Sequence, residues 1–415
     1  MSLSSEASKV KEAAMAQIIK RTTKRGKLSF LIRVSGGYGL DGKQRRTSMT
    51  WEPPAGMTEK RAEKEAQRQA LQFEQQIKNG MIQDGRIRLN DFAARWMADY
   101  VEKQLKRKTA HGYRQCLPRI LDALGHISLC DLKTGHINQF YSNLQEDGMN
   151  ARTGGKLAAN SVLAHHRCLS SMLSKAVKWG YLPHNPAENA ELPKKEAKEA
   201  AYLDEKDARQ LLEALRSAPI KYWAAITFDL LSGLRRGELL GIGWDSVDFD
   251  SQTVTIRRTL NYTPENGTYF DTPKNESSRR PLRVSPLALD LLRQLRQWQE
   301  EQAGKLGSGW SNPENLVFTN DSGGPMHPDA LTKWFSRFCT DSGFQRVHIH
   351  SLRHTCASLM IADGTPLVVV SRRLGHAQVS TTANIYSHVI ASADEKAAQI
   401  GDRFADVVPA AHKPA

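Results

Sequence analysis

Five short strings in the second half of the chain carry side chains suited to one kind of chemistry. Arg235 lies in Gly233-Leu234-Arg235-Arg236-Gly237-Glu238-Leu239, and Lys274 in Thr272-Pro273-Lys274-Asn275. Then come His350-Ser351-Leu352-Arg353-His354-Thr355, Leu374-Gly375-His376 and Asn384-Ile385-Tyr386-Ser387-His388. Two arginines, a lysine and two histidines converging on one tyrosine would suit attack on a phosphodiester, with no metal or other cofactor.

Cleaving a DNA strand in that way poses three problems. Charge builds on the non-bridging oxygens, the nucleophile is weak, and the 5′-oxygen is a poor leaving group. Arginine answers the first, because a guanidinium stays charged and offers two parallel donors. Arg235 and Arg353 are the candidates, and a strong donor at such a site contributes roughly 3–4 kcal/mol by analogy with oxyanion sites. Tyr386 is the candidate nucleophile; its phenol ionises near pH ~10 in a model peptide and needs nearby cations or a base. A phosphotyrosine ester conserves the bond energy, so religation needs no ATP. Lys274 would protonate the leaving hydroxyl, His350 would accept or relay the nucleophile's proton, and His376 would donate to a non-bridging oxygen. Glu238, one helical turn after Arg235, would orient a neighbour or stabilise the fold. His354 has two readings, contact with DNA or packing. The His350/His354 spacing also admits a metal reading, but the Glu of His-Glu-x-x-His and a cysteine pair are both missing. Each string is ordinary alone; the ordered set is not.

The rest of the chain must position these groups. Its 415 residues suggest several domains. A net charge of +14 points to a polyanionic partner. Residues 1–80 hold sixteen Lys/Arg against eight Asp/Glu, so +8 of that charge lies in a fifth of the chain. The five cysteines have no metal-site spacing, which suggests reduced, mostly buried thiols in a cytosolic protein. No stretch reads as a signal peptide or membrane span.

Residues 1–85 read as a small sheet plus helix. Leu28, Phe30, Ile32 and Val34 alternate as in a half-buried strand, Gly36-Gly37 and Asp41-Gly42 mark a turn region, and Arg45 to Trp51 form the next strand. Thr58 would cap a helix carrying Ala62, Ala66, Ala70, Phe73 and Ile77. Lys20, Arg21, Lys24, Arg25, Lys27, Arg33, Arg45 and Arg46 fall on the strand side, a display suited to a DNA groove. Residues 86–182 read as an all-helical bundle with stripes at Phe92-Trp96-Tyr100, Ile137 to Leu144 and Val162 to Val177. Lys106, Arg107, Lys108, His111 and Arg114 gather at one helix start as candidate phosphate contacts. A proline- and lysine-containing linker is expected at 183–200. A mixed α+β domain with three short strands follows at 201–391, and a tail with a short helix at 394–404 occupies 392–415.

The chain resembles the tyrosine recombinase superfamily, in its phage and conjugative-transposon integrase branch. The resemblance rests on the strings around Arg235, Lys274 with Ser278-Arg279-Arg280, His350 to Thr355, Leu374-Gly375-His376 and Tyr386. It implies that Arg235, Lys274, His350, Arg353, His376 and Tyr386 are catalytic, with a 3′-phosphotyrosine intermediate. It also implies a core-binding helical domain, an arm-binding N-terminal domain, and four protomers on two duplexes exchanging strands through a Holliday junction. A host bending factor and an excisionase are the accessory partners it implies. The segment after Tyr386 would pack on a neighbouring protomer. The competing functions are a chromosome-dimer resolvase, which would not need the basic N-terminal domain, a type IB topoisomerase, and a DNA-binding regulator without catalysis.

Overall fold

The computed structural model describes residues 16–22, 28–38, 44–54, 56–78, 86–194, 201–272, 279–344 and 347–387. Lys24, Arg25, Lys27, Lys274, the Asp41-Gly42 pair and the tail from 392 lie outside the described residues, as do the side chains of Arg45, Arg46 and Ile77. The chain divides into two compact units, Met1–Glu196 and Ala197–Ala415.

The first unit opens with an antiparallel sheet in the order β1 (Gln17–Thr22), β2 (Leu28–Tyr38), β3 (Gln44–Trp51), followed by helix α1 (Glu59–Lys78). Ile32 pairs with Ile18 and Met49, and with Val34 it packs on Ala70 and Phe73; Phe30 meets Ala62 and Ala66. Three alanines on one helical stripe allow α1 to approach the sheet closely. Strand alternation then turns Arg21 and Arg33 to the face away from α1, and both are exposed. That face is not purely polar, since Leu31 is buried on it. Lys20 departs from the expected cationic display: its ammonium is paired with Glu59 and Glu63 of α1. Gly36-Gly37 is also not a turn. It lies inside β2, where the register shifts between Ser35 and Tyr38, as glycines at a bulge do.

Helices α2 (Leu89–Trp96), α3 (Arg107–Leu124), α4 (Thr134–Asn143) and α5 (Ala159–Lys178) share one core that includes Phe92, Trp96, Ile120, Phe140, Tyr141, Leu169 and Leu173. A π-helical turn at Met97–Val101 extends α2. The expected linker starts later than its prolines suggest. Asn185 is buried, donating from Nδ2 to Ser174 Oγ at 2.9 Å and accepting from the Ala187 amide at 2.9 Å. Residues 185–187 therefore belong to the helical core.

The second unit is built around α7 (Ile220–Ser232), preceded by α6 (Glu205–Ala214), which Asp204 caps through a 2.7 Å bond from the Asp207 amide. Every residue from Ala224 to Leu230 is buried, as expected of a helix apolar on nearly all sides. The short α8 (Arg236–Leu240) follows. Five strands replace the expected three among the described residues. β4 (Val247–Asp248), β5 (Thr253–Ile256) and β8 (Arg280–Arg283) form one antiparallel sheet, and β6 (Thr259–Thr263) with β7 (Gly267–Asp271) forms a hairpin. Helices α9 (Pro286–Leu306) and α11 (Ile349–Ala362) pack on α7; α10 (Pro328–Asp341), α12 (Leu367–Leu374) and α13 (Val379–Ile385) complete the unit. No helix among the described residues is long and apolar enough to cross a membrane.

Candidate active site

Two glycines shape the site. Gly233 ends α7 and Gly375 ends α12, each in the left-handed region with φ of 67°, where a side chain is disfavoured. A Cβ on Gly233 would stand 3.1 Å from Cys356 Sγ, and one on Gly375 would stand 2.6 Å from Arg280 Nη1. These turns free carbonyls that hold the arginines. Arg353 on α11 donates from Nη1 to Gly233 O at 2.8 Å and from Nη2 to Leu374 O at 2.7 Å. Arg235, at the N-cap of α8, donates from Nη2 to Gly375 O at 3.1 Å.

Glu238 lies beneath both the α8 start and β8. Its carboxylate, 1% exposed, accepts from Arg235 Nη1 at 2.6 Å, from the Arg235 amide at 3.2 Å and from Arg280 Nη2 at 3.2 Å. Burial alone would raise this carboxyl, but Arg280 and Arg235 outweigh it and hold the group below the usual carboxylate range. Arg280 also donates to Arg373 O at 2.7 Å, so it ties β8 to α12. Burial, with Arg235 next, pushes Arg353 down to about 10. The Arg353 guanidinium therefore remains charged at neutral pH.

Tyr386 follows α13 and is 2% exposed, packed among Ala357, Ile361, Val370 and Leu374. Burial pushes its phenol up to about 12, against the pull of Arg353. His376 Nε2 lies 2.9 Å from Arg353 Nη2, and its Nδ1 lies 2.8 Å from Thr382 Oγ1. Burial, then Arg353 and Arg235, pushes His376 down to about 4. Neutral, it accepts from Arg353 at Nε2 and donates to Thr382 from Nδ1.

Arg235, Glu238, Arg353, His376 and Tyr386 therefore gather in one unit. His350 is exposed and stands edge-on to the His354 ring at 4.8 Å between centroids. The imidazole nitrogen beside the phenol is His354 Nδ1, 3.0 Å from Tyr386 Oη. The sequence leaves His354 two readings, DNA contact or packing, and gives no role to Arg280 or Thr382. The i,i+4 spacing of His350 and His354 was the available signal, since both fall on one helical face. In the first unit, Lys106, Arg107 and Lys108 are exposed at the start of α3, while Arg114 is held by Glu102 at 2.6 Å.

A model of the phage integrase family matches residues 201–392, and a model of the phage integrase SAM-like domain matches 88–192. A tyrosine recombinase XerC-like protein of Caldanaerobacter subterraneus subsp. tengcongensis is 27% identical over 386 residues, covering 88% of this chain and 94% of the relative. The ICEBs1 integrase of Bacillus subtilis is 24% identical over 272 residues, covering 66% and 70%. Among solved structures, the Tn1549 transposon integrase in complex with transposon right end DNA shares the fold with a TM-score of 0.62 at 17% identity, over 74% of this chain and 98% of that one. With both domain models in place, spanning most of its length, the chain belongs to the phage integrase family of tyrosine recombinases, enzymes that break and rejoin DNA.

Proposed function

We propose that this chain is the integrase of a phage or other mobile element, a site-specific recombinase that inserts and excises its element through a 3′-phosphotyrosine. The observation that carries this reading is the convergence of Arg235, Arg353 and His376 on the turns that end α7 and α12, with the Tyr386 hydroxyl bonded to His354, the residue after Arg353. Tyr386 Oη attacks phosphorus, the P–O5′ bond breaks, and the guanidinium groups of Arg235 and Arg353 take the charge of the non-bridging oxygens. Lys274 is assigned as the acid that protonates O5′. An arriving phosphate favours the protonated form of His376, which then donates to a non-bridging oxygen. Glu238 positions Arg235.

The DNA partner is engaged in two places. Arg21 and Arg33 on the outer face of the sheet suit arm-site phosphates, and Lys24, Arg25, Lys27, Arg45 and Arg46 are proposed as further contacts with the same DNA. Lys106, Arg107 and Lys108 oppose the dipole at the start of α3, an arrangement that an anionic backbone relieves. Four copies on two duplexes, a bending factor and an excisionase complete the proposed assembly.

A duplex that the full chain selects from a random pool, nicked beside the cleavage point, tests this. The wild type is expected to trap a covalent protein–DNA adduct, and Tyr386→Phe to bind the same duplex without forming one. An adduct in the phenylalanine variant would overturn the assignment.

A further inference from the structure

We infer that His354, and not His350, is the base that takes the proton from Tyr386 as the phenol attacks. The inference rests on the recombinase reading above and adds a residue to its chemistry.

The geometry is direct. His354 Nδ1 lies 3.0 Å from Tyr386 Oη, within the range that proton transfer requires, and the two rings sit 5.7 Å apart at 57°. Both groups are placed by the fold. His354 lies one residue after Arg353 on α11, whose guanidinium is fixed by two backbone carbonyls. Tyr386 is anchored against Ala357 and Ile361 of that same helix. His350 lies one turn nearer the helix start and is exposed. It meets His354 edge-on and is suited to pass the proton outward.

Protonation states agree with this placement. Burial, followed by the charges of His350, Arg353 and His348, pushes His354 down to about 4, which leaves a lone pair at neutral pH. The groups bearing on it are those three from α11 and its N-cap, with Tyr386 and His376 from the segments packed against them. Burial penalises both imidazolium and phenolate, so the transfer accompanies attack instead of preceding it. As Oη bonds to phosphorus, its proton passes to Nδ1. The P–O5′ bond breaks, and O5′ takes a proton from the acid assigned to Lys274. In religation the O5′ hydroxyl attacks phosphorus and gives its proton back to the group assigned to Lys274, the P–Oη bond breaks, and the His354 imidazolium returns its proton to the departing Oη.

The test uses the full chain and the selected nicked duplex. His354→Asn is expected to slow adduct formation by roughly 100-fold or more while duplex affinity is kept. Replacing Tyr386 with 3,5-difluorotyrosine, a more acidic phenol, should restore much of that rate in His354→Asn but not in His350→Asn. Wild-type speed in His354→Asn, the same slowing with either phenol, or rescue confined to His350→Asn would each overturn the inference. Should His354→Asn fail to fold, the ring-nitrogen shifts of His354 in the wild-type chain decide. An Nε2-protonated ring supports the base, and an Nδ1-protonated ring overturns it. Absence of any wild-type adduct would instead bring down the recombinase reading itself, and this inference with it.

Discussion

The two sides of the pocket are held by different means. On one side, Arg353 and Arg235 are fixed by the carbonyls of Gly233, Leu374 and Gly375, with the buried Glu238 joining Arg235 to Arg280. No side-chain substitution elsewhere removes a backbone carbonyl. On the other side, Tyr386 ends a helix of seven residues in which Thr382 alone is buried. Its polar anchors are two side-chain bonds, Tyr386 to His354 and Thr382 to His376. The phosphate-holding half is thus preorganised by the chain's own turns, and the nucleophile is held by replaceable contacts. Preorganised donors are where electrostatic catalysis is concentrated. A nucleophile held by side-chain contacts can adjust to the phosphorus.

The largest test of this contrast falls on Glu238. Glu238→Gln leaves Arg280, 6% exposed, and Arg235 without their shared countercharge. Breaking a buried pair from one side costs about 3–5 kcal/mol, and urea denaturation should show a loss of that size. A loss below about 1 kcal/mol would mean that the carbonyls alone hold the arginine side, and the carboxylate would drop out of the comparison.

A second test separates the two sides by pH. Asp229 on α7 is fully buried and neither carboxyl oxygen has a hydrogen-bond partner. Burial raises it well above the usual carboxylate range; Arg353 pulls against that and Glu238 adds to it. The native state therefore keeps a proton that the unfolded chain releases near pH ~4, and stability falls as pH rises through that window. His354 and His376 work the other way. Their folded values of about 4 lie below the usual histidine range, so the unfolded chain binds protons first and stability falls as pH drops from about 6.5. Asp229→Asn should remove the first slope and leave the histidine slope in a denaturation series from pH 4 to 8. An unaltered curve would show that Asp229 is not a protonated buried acid.

The strings around Arg235, Arg353 and His376 were legible because each pairs its functional side chain with a local structural signal, a glycine turn or a helix start. Glu238 was legible as a helical neighbour of Arg235. Contacts between distant segments were not. His354 and Tyr386 are 32 residues apart, and Arg280 and Glu238 are 42 apart, with no local pattern linking either pair. Asp229 sits between Phe228 and Leu230 in a run that reads only as a buried helix. The β6–β7 hairpin was missed because Thr259-Leu260-Asn261-Tyr262-Thr263 mixes polar and apolar residues without a full strand stripe. The onset of the linker was misplaced for a related reason: prolines mark a chain that cannot stay helical, but they do not show that Asn185 has polar partners on α5.

The smallest effect is expected at Thr382, where the two sides of the pocket meet. Its hydroxyl is buried and lies 2.8 Å from His376 Nδ1, while Nε2 of the same ring faces Arg353 at 2.9 Å. Because Nε2 accepts from the guanidinium, Nδ1 carries the proton and Thr382 is the acceptor that keeps the ring in that tautomer. Thr382→Val preserves shape and removes the acceptor, which costs about 1 kcal/mol in thermal unfolding. Adduct formation should slow less than about tenfold, because Arg353 keeps its two carbonyls whichever way the histidine turns. A slowing of about 100-fold with stability unchanged would show instead that this one bond sets the position of the helix carrying Tyr386. The nucleophile would then be as tightly placed as the arginines, by a single side chain.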